Sequence, residues 1–150
     1  FAKAQARRAN NKKIVLVGGC FDVLHYGHIH FLSSAKNLGD QLVVALESDE
    51  NVKKRKGDSR PIHTQAQRKP MVTTLSCVDE VIELPTMNSD QEYFDLVISI
   101  RPSIIAITEG DPYKEKKSSQ AASIGASVIE IPKIHTPSTT QLAKLIGLEA

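Results

Sequence analysis

Short apolar runs recur along the chain at Ile14 to Val17, Leu42 to Leu46, Val78 to Leu84, Ile104 to Ile107 and Val128 to Ile131, all rich in β-branched residues. Between them the apolar positions fall at helical spacing. This alternation is the signature of βα units and of a parallel sheet, whose strands are buried on both faces. In the first intervening segment Phe31, Leu32, Ala35 and Leu38 form one stripe able to face a sheet, which predicts a helix over Gly27 to Asn37 ended by Gly39. Thr64 followed by Gln67 has capping-box spacing and opens a second helix, which Pro70 should kink or shorten in its first turn. Further helices are predicted from Ser89 to Ile100, stopped by Pro102, and from Tyr113 to Ile124, ended by Gly125. A last helix starts at Ser138 or Thr139 and carries Leu142, Leu145 and Ile146. Right-handed crossovers make a doubly wound, Rossmann-like α/β fold the simplest assembly, with five parallel strands and helices on both faces.

Composition narrows the class. At 150 residues, 41% apolar and 24% charged, the chain is expected to form one soluble domain over residues 13–150, preceded by a basic segment or linker, Phe1 to Lys12, with no assigned chemistry. Nineteen Lys and Arg against 17 Asp and Glu leave +2, far from the basic balance that a nucleic-acid partner requires. Two cysteines exclude a disulfide scaffold and point to a reducing compartment, so the cytoplasm is expected. Apolar stretches of about five residues fall well short of a membrane span. Because the chain begins at Phe1 rather than Met, it is expected to be trimmed or part of a longer polypeptide.

In a doubly wound sheet ligands bind at the carboxyl ends of the strands, so the turn after the first strand is the first candidate site. It holds Gly18, Gly19, Cys20, Phe21, Asp22, His25, Gly27 and His28. The glycines permit close backbone approach, and the helix opening near Gly27 aims free N–H groups and its positive dipole end at the same place. His25 and His28 add donors suited to phosphate oxygens. A plain βα turn is the alternative for the glycines alone. A zinc site from Cys20, His25, His28 and His30 is disfavoured, because His28 and His30 lie about 200° apart on a helix.

The run from Gly19 to His28 resembles the G-x-F-D-x-x-H-x-G-H signature of the cytidylyltransferase-like nucleotidyltransferases. Leu38 to Ala45 with Ser48-Asp49-Glu50 is similar to that family's second strand and the loop after it. The segment Val52 to Arg60 packs five cations into nine residues, which alone reads as a solvated loop. Within the family such a loop supplies cations to phosphates, which implies roles for Lys53, Lys56 and Arg60. Its K-G-D-S-R-P wording is similar to that of heptose-1-phosphate adenylyltransferases. Gln67-Arg68 resembles the family's E-Q-R helix start, and Val78 to Ile82 its V-D-E-V-I strand. Glu109, Gly110 and Asp111 stand where the family has a segment beside base and ribose. Ser138, Thr139 and Thr140 resemble its S-T-T element, which holds the β- and γ-phosphates, although as residues they read first as helix caps. The cytidylyltransferase form R-T-E-G-I-S-T-T is not reproduced, and Lys133 stands where its arginine would be.

The resemblance covers about Lys13 to Ile146. It implies attack by an acceptor phosphate on the α-phosphorus of ATP or CTP with loss of pyrophosphate. His25, His28, Lys53 and Lys56 would carry catalysis, and Arg60, Arg68 and Lys133 would help bind the phosphorylated small acceptor. It also implies Mg²⁺ held largely by the nucleotide, no protein metal site, and a homodimer. Heptose or sugar 1-phosphate adenylyl transfer leads this reading. Glycerol-3-phosphate cytidylyl transfer, flavin adenylyl transfer and a non-catalytic nucleotide-binding module stay open beside it.

Overall fold

The computed structural model describes residues 11–147. Of the basic opening segment only Asn11 and Lys12 fall in this range; its remainder lies outside the described residues. Five parallel strands, β1 (Ile14–Gly19), β2 (Gln41–Leu46), β3 (Glu80–Glu83), β4 (Ile104–Thr108) and β5 (Ser127–Ile131), form one sheet in the order β3-β2-β1-β4-β5. Helices α1 (Tyr26–Lys36), α2 (Asp49–Lys56), α3 (Gln65–Thr73), α4 (Asp90–Ile100), α5 (Lys114–Ser123) and α6 (Thr139–Leu145) complete it. The doubly wound expectation holds. Strand order reverses between β1 and β4, so the crevice for a ligand opens beyond the carboxyl ends of these two strands.

The period-two alternation of the central strands divides the core. Val15, Val17, Leu42, Val44 and Leu46 pack with Leu32 and Ala35 of α1 and Val72 of α3, while Ile14, Leu16, Val43 and Ala45 pack with Val97 and Ile100 of α4 and Ala121 of α5. Both faces of β1 and β2 are therefore covered, which explains why these runs read as continuously apolar rather than alternating. Thr64 caps α3 in a reciprocal capping box with Gln67, as its spacing predicts, and Ser89 and Ser138 do the same for α4 and α6. Pro70 neither ends nor shortens the first turn of α3, which continues through it to Thr73.

Two expectations are corrected. Gly39 does not terminate α1, which leaves the helical conformation at Asn37. Its role is close approach: a Cβ there would meet the Val15 side chain at 2.8 Å and the Lys13 carbonyl oxygen at 2.9 Å. The basic run is not a loop throughout, since Asp49 to Lys56 is the helix α2, capped by Ser48 and ended at Gly57 with φ 101°. Only Asn51 and Val52 of this helix are buried, so it has no apolar stripe to betray it. Asp49 and Glu50 in its first turn and four cations in its last complement the helix dipole instead.

Candidate functional site

The three-residue spacing of His25 and His28 is that of a capping box, and the structure uses it as one. His25 is the N-cap of α1, its Nδ1 accepting from the Gly27 N–H at 3.0 Å. His28, in the N3 position, returns the bond by accepting from the His25 N–H through its own Nδ1 at 3.2 Å. An Nδ1 that accepts carries no proton, so each neutral ring bears its proton on Nε2 and offers that N–H as a donor. The rings stack with centroids 3.8 Å apart, and Phe21 tilts against His28 at 5.5 Å. Gly27 is required between them, because a Cβ would stand 2.8 Å from His25 Cε1 and 3.0 Å from Thr136 Cγ2.

Burial, reinforced by repulsion from His25 and Lys56 and opposed by Asp22, lowers the His28 pKa to about 4. Burial alone shifts His25 down as well. The pair is thus neutral at pH 7 without a ligand, and donates hydrogen bonds without the repulsion of two adjacent cations. The unfolded chain protonates His28 first, near pH 6.5, so its contribution to stability is full above that pH and is lost as pH falls toward 4. We expect a loss of about 2–3 kcal/mol over this window, allowing for partial solvent screening. Urea unfolding of the unliganded protein at pH 7 and 4 checks this: the loss should shrink by that amount in His28→Gln, whose amide oxygen can still accept the His25 N–H.

The β1–α1 loop that carries the histidines is held by buried polar groups. Phe21 and Val23 both occupy the left-handed region, with φ 47° and 52°, a costly conformation for a β-branched valine. Thr139 of α6 donates its hydroxyl to the carbonyls of Asp22 at 2.8 Å and Val23 at 3.1 Å. The Asp22 carboxylate, 1% exposed, accepts from Arg60 Nε and from the N–H groups of Ile62 and His63. Burial by itself would raise its pKa, but these three bonds outweigh it and the net shift is downward. Arg68, 0% exposed, bonds the carbonyls of Cys20, Glu47 and His63 and the Asp49 carboxylate.

These contacts revise several expected roles. Arg68 is walled off from any ligand and ties the loops after β1 and β2 together. Asp22 and Thr139 border the cleft, yet their polar atoms are occupied in shaping the loop. Arg60 is likewise buried against Asp22, so the K-G-D-S-R-P run owes two of its residues to architecture, Gly57 to ending α2 and Arg60 to this pair. Cys20 keeps its thiol protonated, its pKa raised chiefly by burial.

A cleft of about 410 Å³ opens over the histidines. It brings together Gly18, Gly19, Cys20, Phe21, His25, Gly27, His28, Lys56, Arg60, Lys133 and Ser138 from distant parts of the chain. Lys53, Glu109, Gly110, Asp111 and Thr140 do not line it. Lys53 is exposed and stands 4.0 Å from Asp58. Asp111 closes the turn before α5, accepting from the Tyr113 N–H and from Lys117 at 2.7 Å. Gly110 takes φ 79°, and a Cβ there would lie 4.0 Å from the Lys133 ammonium, so this turn flanks the cleft at its Lys133 side.

The sequence reading missed a second group across the β1 carboxyl end. Glu47, 4% exposed, accepts a 3.0 Å bond from the Tyr93 hydroxyl and pairs with Arg55 at 3.1 Å. An acidic residue directly after the apolar run Leu42 to Leu46, at a strand's carboxyl end, was the available signal. Among the described residues no group of three or more His, Cys, Asp or Glu side chains could hold a metal ion, and no helix is long and apolar enough to cross a membrane.

The chain is similar to several known proteins. The bifunctional protein HldE of Campylobacter jejuni is 41% identical over 109 residues, 73% of this chain, and the chain spans only 22% of that relative. The FAD synthase of Thermococcus sibiricus is 40% identical over 140 residues, covering 90% of this chain and 91% of the relative. The crystal structure of a lipopolysaccharide core biosynthesis protein from Thermoplasma volcanium superposes with a TM-score of 0.68 at 27% identity, over 83% of this chain and 98% of that one. The family model described as cytidylyltransferase-like matches residues 16–133, the span that runs from β1 through the histidine capping box to Lys133, and the chain belongs to that family.

Proposed function

We propose that the protein transfers a nucleoside monophosphate, with ATP as the preferred donor, to a phosphorylated small molecule. The observation that carries this reading is the neutral histidine pair, whose Nε2 donors border a cleft shared with Lys56 and Lys133. A phosphate oxygen of the acceptor attacks the α-phosphorus, a new P–O bond forms, and the bond to the β-phosphate oxygen breaks with its electron pair leaving on pyrophosphate. The acceptor oxygen is already ionised at pH 7, so no strong base is needed. Charge spreads over the α-phosphate oxygens as the bond shifts, and fixed N–H donors and ammonium groups answer it without reorganising.

The chain's own side chains favour phosphate over metal. Asp22, a carboxylate at the cleft, is taken up by Arg60 and two backbone N–H groups. A magnesium ion accompanying the triphosphate would be held by phosphate oxygens and water and would neutralise part of their charge.

The K-G-D-S-R-P wording favours a sugar 1-phosphate acceptor, whereas similarity along nearly the whole length of an FAD synthase favours a flavin. Pyrophosphate release with ATP or CTP across both acceptor types tests the reading. Nucleotide binding with no release in any combination would reduce the protein to a binding module. Because Lys56 lines the cleft and Lys53 does not, Lys56→Ala should raise the acceptor KM about tenfold and Lys53→Ala should leave it within twofold, the difference of roughly one charge-assisted bond.

A further inference from the structure

At the opposite end of the sheet from the histidine pair lies a larger cleft, about 740 Å³. It opens where the amino ends of β1 and β4 meet the carboxyl ends of α4 and α5, bordered by Ile14, Arg101, Ser103 and Ser123. It shares no described residue with the cleft over the histidines, and the length of β1, about 17 Å at roughly 3.3 Å per residue, separates the two.

Its charge is one-sided. Lys12, Lys13 and Arg101 line it, and among the described residues no carboxylate does. Elsewhere many cations are taken up internally, Lys36 by Asp79, Arg55 by Glu47, Arg60 by Asp22 and Lys114 by Glu130. Lys12, Lys13 and Arg101 have no ion pair among the described residues, and neither do Lys56 and Lys133, the two ammonium groups of the histidine cleft. Cations left unpaired at the mouth of a cleft are thus a feature that both ends of the sheet display.

Arg101 adds a conformational argument. It ends α4 in the left-handed region, φ 46° and ψ 62°, its N–H donating to the Val97 carbonyl at 2.8 Å. Helix ends that turn left-handed usually do so on glycine, which has no Cβ to strain. An arginine here sets a guanidinium on the cleft at a conformational cost, and residues held in this way cluster at ligand sites. The carboxyl ends of α4 and α5 supply partial negative charge that lets three cations gather beside them.

Among the described residues the lining has no aromatic ring on which a base could stack, and the net charge of +2 is far from that of a nucleic-acid binder. The volume falls within the roughly 300–1,000 Å³ of small-ligand sites. Three positive charges are matched by an anion of about three negative charges, to which the exposed Ser103 hydroxyl can also donate. We propose that this cleft is a binding site for a small multivalent oxyanion, a condensed phosphate or a tricarboxylate, held by Lys12, Lys13 and Arg101.

The test is an NMR titration of the nitrogen-15-labelled full chain with inorganic triphosphate at an ionic strength of about 0.15 M. The amide signals of Ile14, Ser103 and Gly125 should shift saturably, with a Kd of about 1 mM or below. A separate set of shifts at Gly18 and Gly19 reports the histidine cleft, and Lys56→Ala combined with Lys133→Ala should weaken that set alone. Arg101→Gly should weaken the first set about tenfold, the scale of one charge-assisted contact. Because glycine relieves the left-handed backbone, Tm should hold or rise, so the loss cannot come from misfolding. Lys12→Ser combined with Lys13→Ser should weaken the first set at least as much. Citrate titrated in parallel separates the two sources of such an anion: whichever saturates the first set at lower concentration identifies the ligand's acid group. Failure of both anions to saturate it, shifts confined to Gly18 and Gly19, or a Kd unchanged in Arg101→Gly and in the double lysine variant would overturn the proposal. The three cations would then only complement the two helix ends.

Discussion

His28→Ala is expected to lower the rate of pyrophosphate release by about 10²-fold or more in a chain that remains folded, and His25→Ala to do the same. The effect on rate follows from losing one fixed donor to the phosphate at which charge develops. The effect on folding is bounded by the histidines' other role. Removing either ring breaks half of the α1 capping box, a change worth about 1 kcal/mol, small against the roughly 5–15 kcal/mol stability of a domain. The two contributions can be separated by His28→Gln. Its amide oxygen can accept the His25 N–H, and its amide N–H₂ does not reproduce the position of the imidazole Nε2 donor. Near-normal stability with low turnover is the expected outcome, measured by urea unfolding and by a coupled pyrophosphate assay. Turnover within a few-fold of the unsubstituted protein in both alanine variants would remove the histidines from the chemistry and leave them as caps.

The second large effect is on stability. Arg68→Met should destabilise the protein by about 3–5 kcal/mol and lower its Tm by roughly 10 °C. The guanidinium is fully buried, and removing it leaves the carbonyls of Cys20, Glu47 and His63 without the donors they now face. Asp49 keeps its bond from the Gln65 N–H and can be hydrated, so the three carbonyls account for most of the loss. Arg68→Lys should recover little of it, because one ammonium cannot reach four acceptors arranged around a planar fork. Thermal melting measures the loss, and kinetics at a temperature where the variant is folded provide the contrast. An unchanged Tm with a raised acceptor KM would restore Arg68 to the substrate-binding role suggested by the Gln67-Arg68 resemblance.

The fold was legible because its signals are local. The run Leu42 to Leu46 is buried on both faces and reads as such, and Thr64, Ser89 and Ser138 cap the helices their spacing announces. Helix α2 escaped because a helix lying on the surface, stabilised by Ser48 and by charges at both ends, leaves no apolar period to detect. Pro70 lies inside α3 without shortening its first turn. At the site, the histidine pair could be read from its i, i+3 spacing. The division of the cations could not. Lys56 faces the cleft, Lys53 faces solvent, Arg55 turns to Glu47 and Arg60 to Asp22, although all four sit in one basic stretch.

What the sequence determined by itself was therefore the βα order, the position of the glycine and histidine turn after β1 and the capping-box spacing of its two histidines, all of which depend on residues within a few positions of one another. The tertiary structure alone decided that Arg68, Asp22 and Thr139 spend their side-chain hydrogen bonds on the loops around β1 and β2, that Lys133 and Lys56 border one cleft, and that Glu47, Arg55 and Tyr93 gather across the β1 carboxyl end. These outcomes depend on where helices from separate parts of the chain come to rest against the sheet. Burial and hydrogen-bond partners then divide the charged side chains between the scaffold and the open cleft, and neither quantity is a property of the residue's neighbours in sequence.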